Sequence, residues 1–300
     1  MGTIEQASQR LQQLTQAGVE VPWTAAKAEP GALPAQQPAA LAGPLQELAA
    51  RPAPLEAPRH SVSLPLDKLS ADGYLVPGAA RSRLMDEFRA IKRPLMSNAL
   101  GTKGRQAADR GNLIMITSSL PGEGKSYVSL NLAVSLAMEL DYQVLLVDAD
   151  PTRKVTSQRV GVPPGTKGLI DLLAQPSLEF AEVELATNVP KLSFLPAGSS
   201  HDLATELLGS REMQLLLERL AAHREQRIVI FDAPPMLHAA EARALAPQMG
   251  QVVLVVKSGG TPRGSVQHAL SLLQECPLVM TLLNQARTPS ESSPYGYYAY

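Results

Sequence analysis

Ser119-Leu120-Pro121-Gly122-Glu123-Gly124-Lys125-Ser126 lies between an apolar run over 113–117 and a helical pattern over 125–140. A glycine-rich turn that leaves a strand and opens a helix is the local geometry a phosphate requires. Gly122 and Gly124 let backbone N–H groups approach phosphate oxygens closely, and the helix N-terminus adds its positive dipole end. Lys125 has the reach and charge for the outer phosphates, and the Ser126 hydroxyl is a ligand for Mg²⁺. The first position of such a loop is usually glycine, and here it is Ser119. Taken by itself, the stretch also reads as a crowded corner where glycine is present for steric reasons.

Two acidic strand ends favour the phosphate reading. Leu145-Leu146-Val147-Asp148-Ala149-Asp150 and Ile228-Val229-Ile230-Phe231-Asp232-Ala233-Pro234-Pro235 each run from apolar residues into carboxylates. In an open α/β sheet the strand C-termini converge on the ligand crevice. Carboxylates there, beside a phosphate loop, suit Mg²⁺ directly or through its waters. Solvent-facing helix caps account for one such end, but poorly for both together with Gly-Lys-Ser. Strand-length apolar runs occur at 113–117, 144–148, 192–195, 228–232, 252–256 and 279–283, with helical patterns between most of them, notably 125–140 and 203–221. Continuous apolar strands alternating with helices predict a doubly wound, mainly parallel α/β sheet of P-loop type, covered on both faces.

Outside that core, residues 1–20 hold a short amphipathic helix. Thr3 and Gln6 form a capping box, Ile4, Ala7, Leu11 and Leu14 share a face, and Gly18 is the stop. Such a helix docks either on its own domain or on another protein. Residues 21–60 are rich in Pro and Ala and read as a linker with too little apolar surface to order itself. The P-loop domain is expected over 61–287. Near its start, 81–99 reads as a helix carrying Asp86, Arg89 and Lys92 at i, i+3 and i+6, with Pro94 expected to kink or end it. A tail over 288–300 holds Tyr295, Tyr297, Tyr298 and Tyr300, four of the chain's 7 tyrosines. Its glycine, serine and proline content suits a segment that must reach an active site.

The net charge of −1 gives no broad positive field, so no nucleic-acid partner is expected. The single cysteine, Cys276, fits a reducing cytosol. The apolar runs are strand-length, and the N-terminus shows no signal-peptide pattern. The expected location is cytoplasmic, with membrane association through a surface helix or a partner.

These residues resemble the bacterial tyrosine autokinases of exopolysaccharide and capsule assembly, of the exosortase-associated, chain-length-determining type, in the MinD/ParA-like P-loop superfamily. The carriers are Pro121 to Ser126, Asn131-Leu132-Ala133, Val147 to Asp150 and Asp232 to Pro235. The Pro196-Ala197-Gly198 turn, Glu206-Leu207-Leu208, Leu283-Asn284 and the tyrosine-rich end are also similar. The resemblance implies an ATP-dependent protein-tyrosine kinase with Mg²⁺. Pro121, Gly122, Glu123, Gly124, Lys125, Ser126 and Tyr127 would hold the nucleotide, and Asn284 would meet adenine. Lys125, Asp148, Asp150 and Asp232 would be catalytic, with Asp148 orienting or deprotonating the acceptor hydroxyl. Ser126, Asp150 and Asp232 would organise the metal. Autophosphorylation would fall on Tyr295, Tyr297, Tyr298 and Tyr300. The implied partners are further copies in a ring-like oligomer, the cytoplasmic part of a membrane chain-length determinant or co-polymerase, and a tyrosine phosphatase. Two departures stand out. An arginine usual two residues after the second aspartate is here Arg153, three residues on. The ring-assembly pattern Glu-x-x-Arg-x-x-Arg is here Asp86-x-x-Arg89-x-x-Lys92, and lysine does not reproduce an arginine fork. One rival, a MinD/ParA-type switch ATPase, carries a signature lysine where this chain has Leu120. The other is a nucleotide-binding scaffold without catalysis. Tyrosine phosphorylation measured against ATP hydrolysis separates all three.

Overall fold

The computed structural model describes residues 56–102, 104 and 106–286, all within one compact unit, Arg51–Tyr300. The N-terminal helix, most of the linker and the tyrosine-rich tail lie outside the described residues. Eight strands form one sheet: β1 (His60–Val62), β2 (Leu113–Ser118), β3 (Gln143–Asp148), β4 (Leu185–Thr187), β5 (Leu192–Leu195), β6 (Arg227–Asp232), β7 (Gln251–Lys257) and β8 (Val279–Asn284). Their order is β1-β4-β5-β3-β6-β2-β7-β8, and every pairing is parallel except β4 with β5.

Among the described residues there are ten α-helices: α1 (Leu66–Ala71), α2 (Arg83–Leu100), α3 (Lys125–Ala137), α4 (Val155–Arg159), α5 (Leu169–Ala174), α6 (Phe180–Val183), α7 (Ala204–Leu208), α8 (Arg211–Ala222), α9 (Ala240–Leu245) and α10 (Arg263–Ser271). They form two layers, and the strand pleat explains why both faces are apolar. Successive residues point to opposite sides. Leu113, Met115, Leu145, Val147, Val229 and Phe231 pack with Leu208, Leu217 and Leu220 on one face. Ile114, Ile116, Val144, Leu146, Ile228 and Ile230 pack with Leu132, Leu136, Phe88 and Leu95 on the other. Each fully buried aliphatic side chain contributes about 1.5–3 kcal/mol.

The six expected strands are all present, within a residue or so at each end. Three differences have local causes. The pattern over 203–221 is two helices, because Gly209 breaks it and Ser210 starts α8 by accepting the Met213 N–H at 3.2 Å. Helix α2 does not end at Pro94 but runs on to Leu100. Buried Phe88, Lys92, Leu95 and Ala99 hold it against α3 on both sides of the proline. The three-residue strands β1 and β4 are too short to show a period. Among the described residues, no helix is long and apolar enough to cross a membrane.

The topology places the loop and both acidic ends side by side. Strand β6 lies between β3 and β2, with Asp148 paired to Asp232 in register and Ile116 paired to Asp232. The phosphate loop leaves β2 directly into α3. Three separate sequence stretches therefore meet at one end of three adjacent strands.

Candidate nucleotide and phosphoryl-transfer site

Gly122 and Gly124 have φ of +83° and +95°, the left-handed region that favours glycine. A Cβ on Gly124 would lie 2.1 Å from Asn284 Nδ2, so this position also excludes side chains by space. Asn284 donates to the Glu123 carbonyl at 2.9 Å, and Gln285 donates to the Gly122 carbonyl at 3.3 Å. The end of β8 thus lies against the loop. Glu123 turns inward: one carboxylate oxygen accepts the Leu120 N–H at 2.9 Å, and the other meets the Thr261 hydroxyl. Its side chain braces the loop rather than facing a ligand.

Beside the loop is a cavity of about 980 Å³, bounded by Pro121, Lys125, Tyr127, Arg153, Arg159 and Asn284 among others. Tyr127 donates to the Gly73 carbonyl at 2.9 Å, and its ring centroid lies 4.9 Å from that of Tyr74. The Arg159 guanidinium sits 5.4 Å above the Tyr74 ring. Asn131 ties this wall to α3, accepting the Leu75 N–H at 2.6 Å and donating to the Tyr127 carbonyl at 2.8 Å.

Lys125 and Ser126 are buried at the first turn of α3. Lys125 Nζ is 3.2 Å from Asp150 Oδ2 and 3.9 Å from Asp232 Oδ1. The other Asp150 oxygen accepts the Arg153 N–H at 3.0 Å. Asp232 is fully buried; its Oδ1 accepts from Ser129 Oγ at 3.1 Å and its Oδ2 from Thr156 Oγ1. Asp148 is equally buried and lies further from the lysine. Its Oδ2 accepts the Ser157 N–H at 2.8 Å and the Ser157 hydroxyl at 2.7 Å, while Oδ1 accepts the Asp150 N–H at 3.1 Å. Burial, followed by the negative charge of Asp232, raises the Asp148 pKa to about 7, against the opposing effect of those hydrogen bonds.

The structure therefore brings together Lys125, Ser126, Asp150 and Asp232, with Asp148 one hydrogen-bonded layer behind and Asn284 on the loop itself. The four tail tyrosines lie outside the described residues. Sequence reasoning missed Ser129, Thr156 and Ser157, whose hydroxyls reach the carboxylates; their sequence context carries no motif. Among the described residues, no group of three or more His, Cys, Asp or Glu is gathered to hold a metal ion. The donors that do converge, two carboxylates and the Ser126 hydroxyl, are hard oxygens. They fit a cation that keeps several waters and is completed by phosphate oxygens.

Residues 111–267 match the family model for an AAA domain. The chain is 38% identical over 188 residues to the tyrosine-protein kinase YwqD of Bacillus subtilis, covering 62% of this chain and 76% of that protein. It is 31% identical over 220 residues to the succinoglycan biosynthesis transport protein ExoP of Rhizobium meliloti, covering 72% of this chain but only 26% of that protein. The kinase domain of the Escherichia coli tyrosine kinase ETK shares the fold, with a TM-score of 0.61 and 22% identity over 80% of this chain and 94% of that one. A P-loop whose lysine faces two strand-end carboxylates, on this sheet and with these relatives, places the chain in the AAA-domain P-loop proteins and, within them, in the bacterial tyrosine-protein kinase family.

Proposed function

We propose that this chain is an Mg·ATP-dependent tyrosine autokinase that phosphorylates Tyr295, Tyr297, Tyr298 and Tyr300. Its reading within the cell is as a cytoplasmic regulator of exopolysaccharide polymerisation or export, held at the membrane by a chain-length determinant or co-polymerase and reset by a tyrosine phosphatase. The observation that carries the catalytic reading is the Lys125–Asp150–Asp232 cluster at the mouth of the phosphate loop. The route of the chain supports the substrate reading. Leu283 to Ala286 line the nucleotide cavity, so the tail departs from the active-site wall. Tyr295 lies nine positions beyond Ala286, a reach of at most about 32 Å.

Phosphoryl transfer demands positioning and charge neutralisation more than covalent chemistry from the protein. The loop amides and Lys125 would hold the outer phosphates. Ser126, Asp150 and Asp232 would hold Mg²⁺, which supplies charge neutralisation to the phosphates when bound. Lys125 pairs with Asp150 in this structure, so nucleotide entry has to draw the ammonium from the carboxylate onto phosphate oxygen. The resemblance assigns Asp148 to the acceptor side, orienting or accepting the proton of the tyrosine hydroxyl as its oxygen attacks the γ-phosphorus and ADP leaves. For that role the hydroxyl has to reach a carboxylate that here is buried behind Ser157.

Incubating purified protein with Mg·ATP and probing for phosphotyrosine tests this reading. The wild type should label its tail. Lys125→Met should lose label and bind ATP more weakly while keeping its fold. Equal labelling rates for the two proteins would refute the site.

A further inference from the structure

One stretch outside the sequence motifs touches all three carboxylates. The Arg153 N–H is donated to Asp150, the Thr156 hydroxyl to Asp232, and the Ser157 N–H and hydroxyl to Asp148. Thr156 is fully buried and Ser157 nearly so. The stretch runs from Arg153 into helix α4, whose five residues are too few to hold themselves as a helix in water. Its entry residue, Lys154, has φ of +49°, an uncommon conformation for a residue with a side chain. The Lys154 N–H is donated back to the Asp150 carbonyl at 2.9 Å. The chain thus makes a strained turn and aims two adjacent hydroxyls at two adjacent strand ends. The same stretch presents Arg153, Val155 and Arg159 to the nucleotide cavity.

We propose that Thr156 and Ser157 are positioning residues of the transfer site, Thr156 setting the carboxylate plane of Asp232 and Ser157 that of Asp148. The inference rests on the kinase reading above for its chemistry, but not for its geometry. A carboxylate has about four lone-pair positions and rotates unless donors fix it. Thr156 holds Oδ2 of Asp232, while Ser129 shares its one hydroxyl proton between Oδ1 and the nearer Lys125 carbonyl, so Thr156 is the firmer anchor of the plane relative to Lys125. Ser157 holds Asp148 Oδ2 with two donors, which leaves Oδ1 turned toward the Asp150 side. Losing such an outer partner typically reduces metal affinity or activity about 10–100-fold.

The test compares isosteric removal of each donor with a replacement that keeps it: Thr156→Val against Thr156→Ser, and Ser157→Ala against Ser157→Thr. Three quantities are read: thermal unfolding, binding of a fluorescent ATP analogue as Mg²⁺ is titrated, and kcat and KM for tail phosphorylation. Thr156→Val should need about 10-fold more Mg²⁺ for half-maximal nucleotide binding, while Thr156→Ser stays close to wild type. Ser157→Ala should lower kcat about 10-fold or more with KM for ATP unchanged, and Ser157→Thr should recover it. Wild-type Mg²⁺ dependence and kcat in Thr156→Val and Ser157→Ala would overturn the proposal. Donor-keeping variants as impaired as the donor-lacking ones would also overturn it, since the residues would then act by packing. If Thr156→Val does not fold, the Ser157 pair decides. If wild-type protein binds Mg·ATP but makes no phosphotyrosine, the kinase reading fails, and the Mg²⁺ titrations still judge the positioning.

Discussion

Carboxylates a few residues apart acquire different duties from their neighbours. Asp150 faces the P-loop lysine, whereas Asp148 is enclosed by Ser157 and its own strand end. Asp171 shows a third case. Its Oδ2 accepts the N–H groups of Gly168 and Ser199, both at 2.9 Å, and so closes the Pro196-Ala197-Gly198 turn over α5. A Cβ on Gly198 would come within 2.4 Å of that oxygen, which explains the glycine there. Burial pulls the Asp171 pKa up, but the hydrogen bonds from Ser199 and Gly168 outweigh it and leave the carboxyl below its ordinary range. A folded pKa below the unfolded value stabilises above the unfolded pKa and loses that contribution as pH falls through the folded one. Asp171→Asn should therefore lower stability by roughly 1.5–3 kcal/mol at neutral pH, the scale of hydrogen bonds to charged groups. Urea unfolding of both proteins should show the gap closing below about pH 4, near the unfolded aspartate value. A gap that stays constant to pH 3 would show that the charge is not what matters.

At the scale of elements, α2 and α3 show where sequence reading succeeds and where it fails. The phosphate loop, the acidic strand ends and the central strands were legible because each is local: a spacing, a period, a run. The hydroxyls that orient the carboxylates were not, since Ser129 and Thr156 lie 103 and 76 residues from Asp232. Lys92 shows the same limit. The i, i+3, i+6 spacing groups it with Asp86 and Arg89. Its helical neighbours at four before and three after are Phe88 and Leu95, both buried, and they carry it inward. Lys92 Nζ is donated to the Ser135 carbonyl at 2.7 Å and pairs with Glu139 at 2.6 Å. Asp86 and Arg89 remain exposed and pair with each other, and Asp86 pairs with Arg81 as well. Lys92→Met keeps the aliphatic stem and removes the donor. It should destabilise the chain by about 1–3 kcal/mol through the unpaired carbonyl. The loss should appear as a lower melting temperature at every protein concentration. A melting temperature unchanged when dilute but lowered when concentrated would instead place Lys92 between subunits.

For the whole molecule, the question is which active site receives the tail. Residue 286 lies on the wall of its own cavity, so folding back and delivery to a neighbour both begin from the same place. The family resemblance implies delivery to a neighbour; were the chain to assemble as a ring, exposed Asp86 and Arg89 on α2 would be open to such a contact, whereas Lys92 is buried. Phosphorylation then has an electrostatic consequence. Each phosphotyrosine adds about −1.5 to −2 charge at neutral pH, so four add about −6 to −8. The unmodified chain carries a net charge of only −1, and three buried carboxylates, Asp148, Asp150 and Asp232, already sit at the strand ends beside the phosphate loop. Repulsion should expel the modified tail and loosen the assembly, making phosphorylation a release signal. Mixing Lys125→Met protein, which keeps its tail but cannot transfer phosphate, with a chain truncated after Pro294 should put label on the Lys125→Met tail. Light scattering should give a larger species before Mg·ATP than after full phosphorylation. Label confined to active chains that bear their own tail, at a rate independent of concentration, would rule out transfer between subunits. An unchanged mass after full phosphorylation would rule out release while leaving the kinase assignment intact, because expulsion depends on the added charge and catalysis does not.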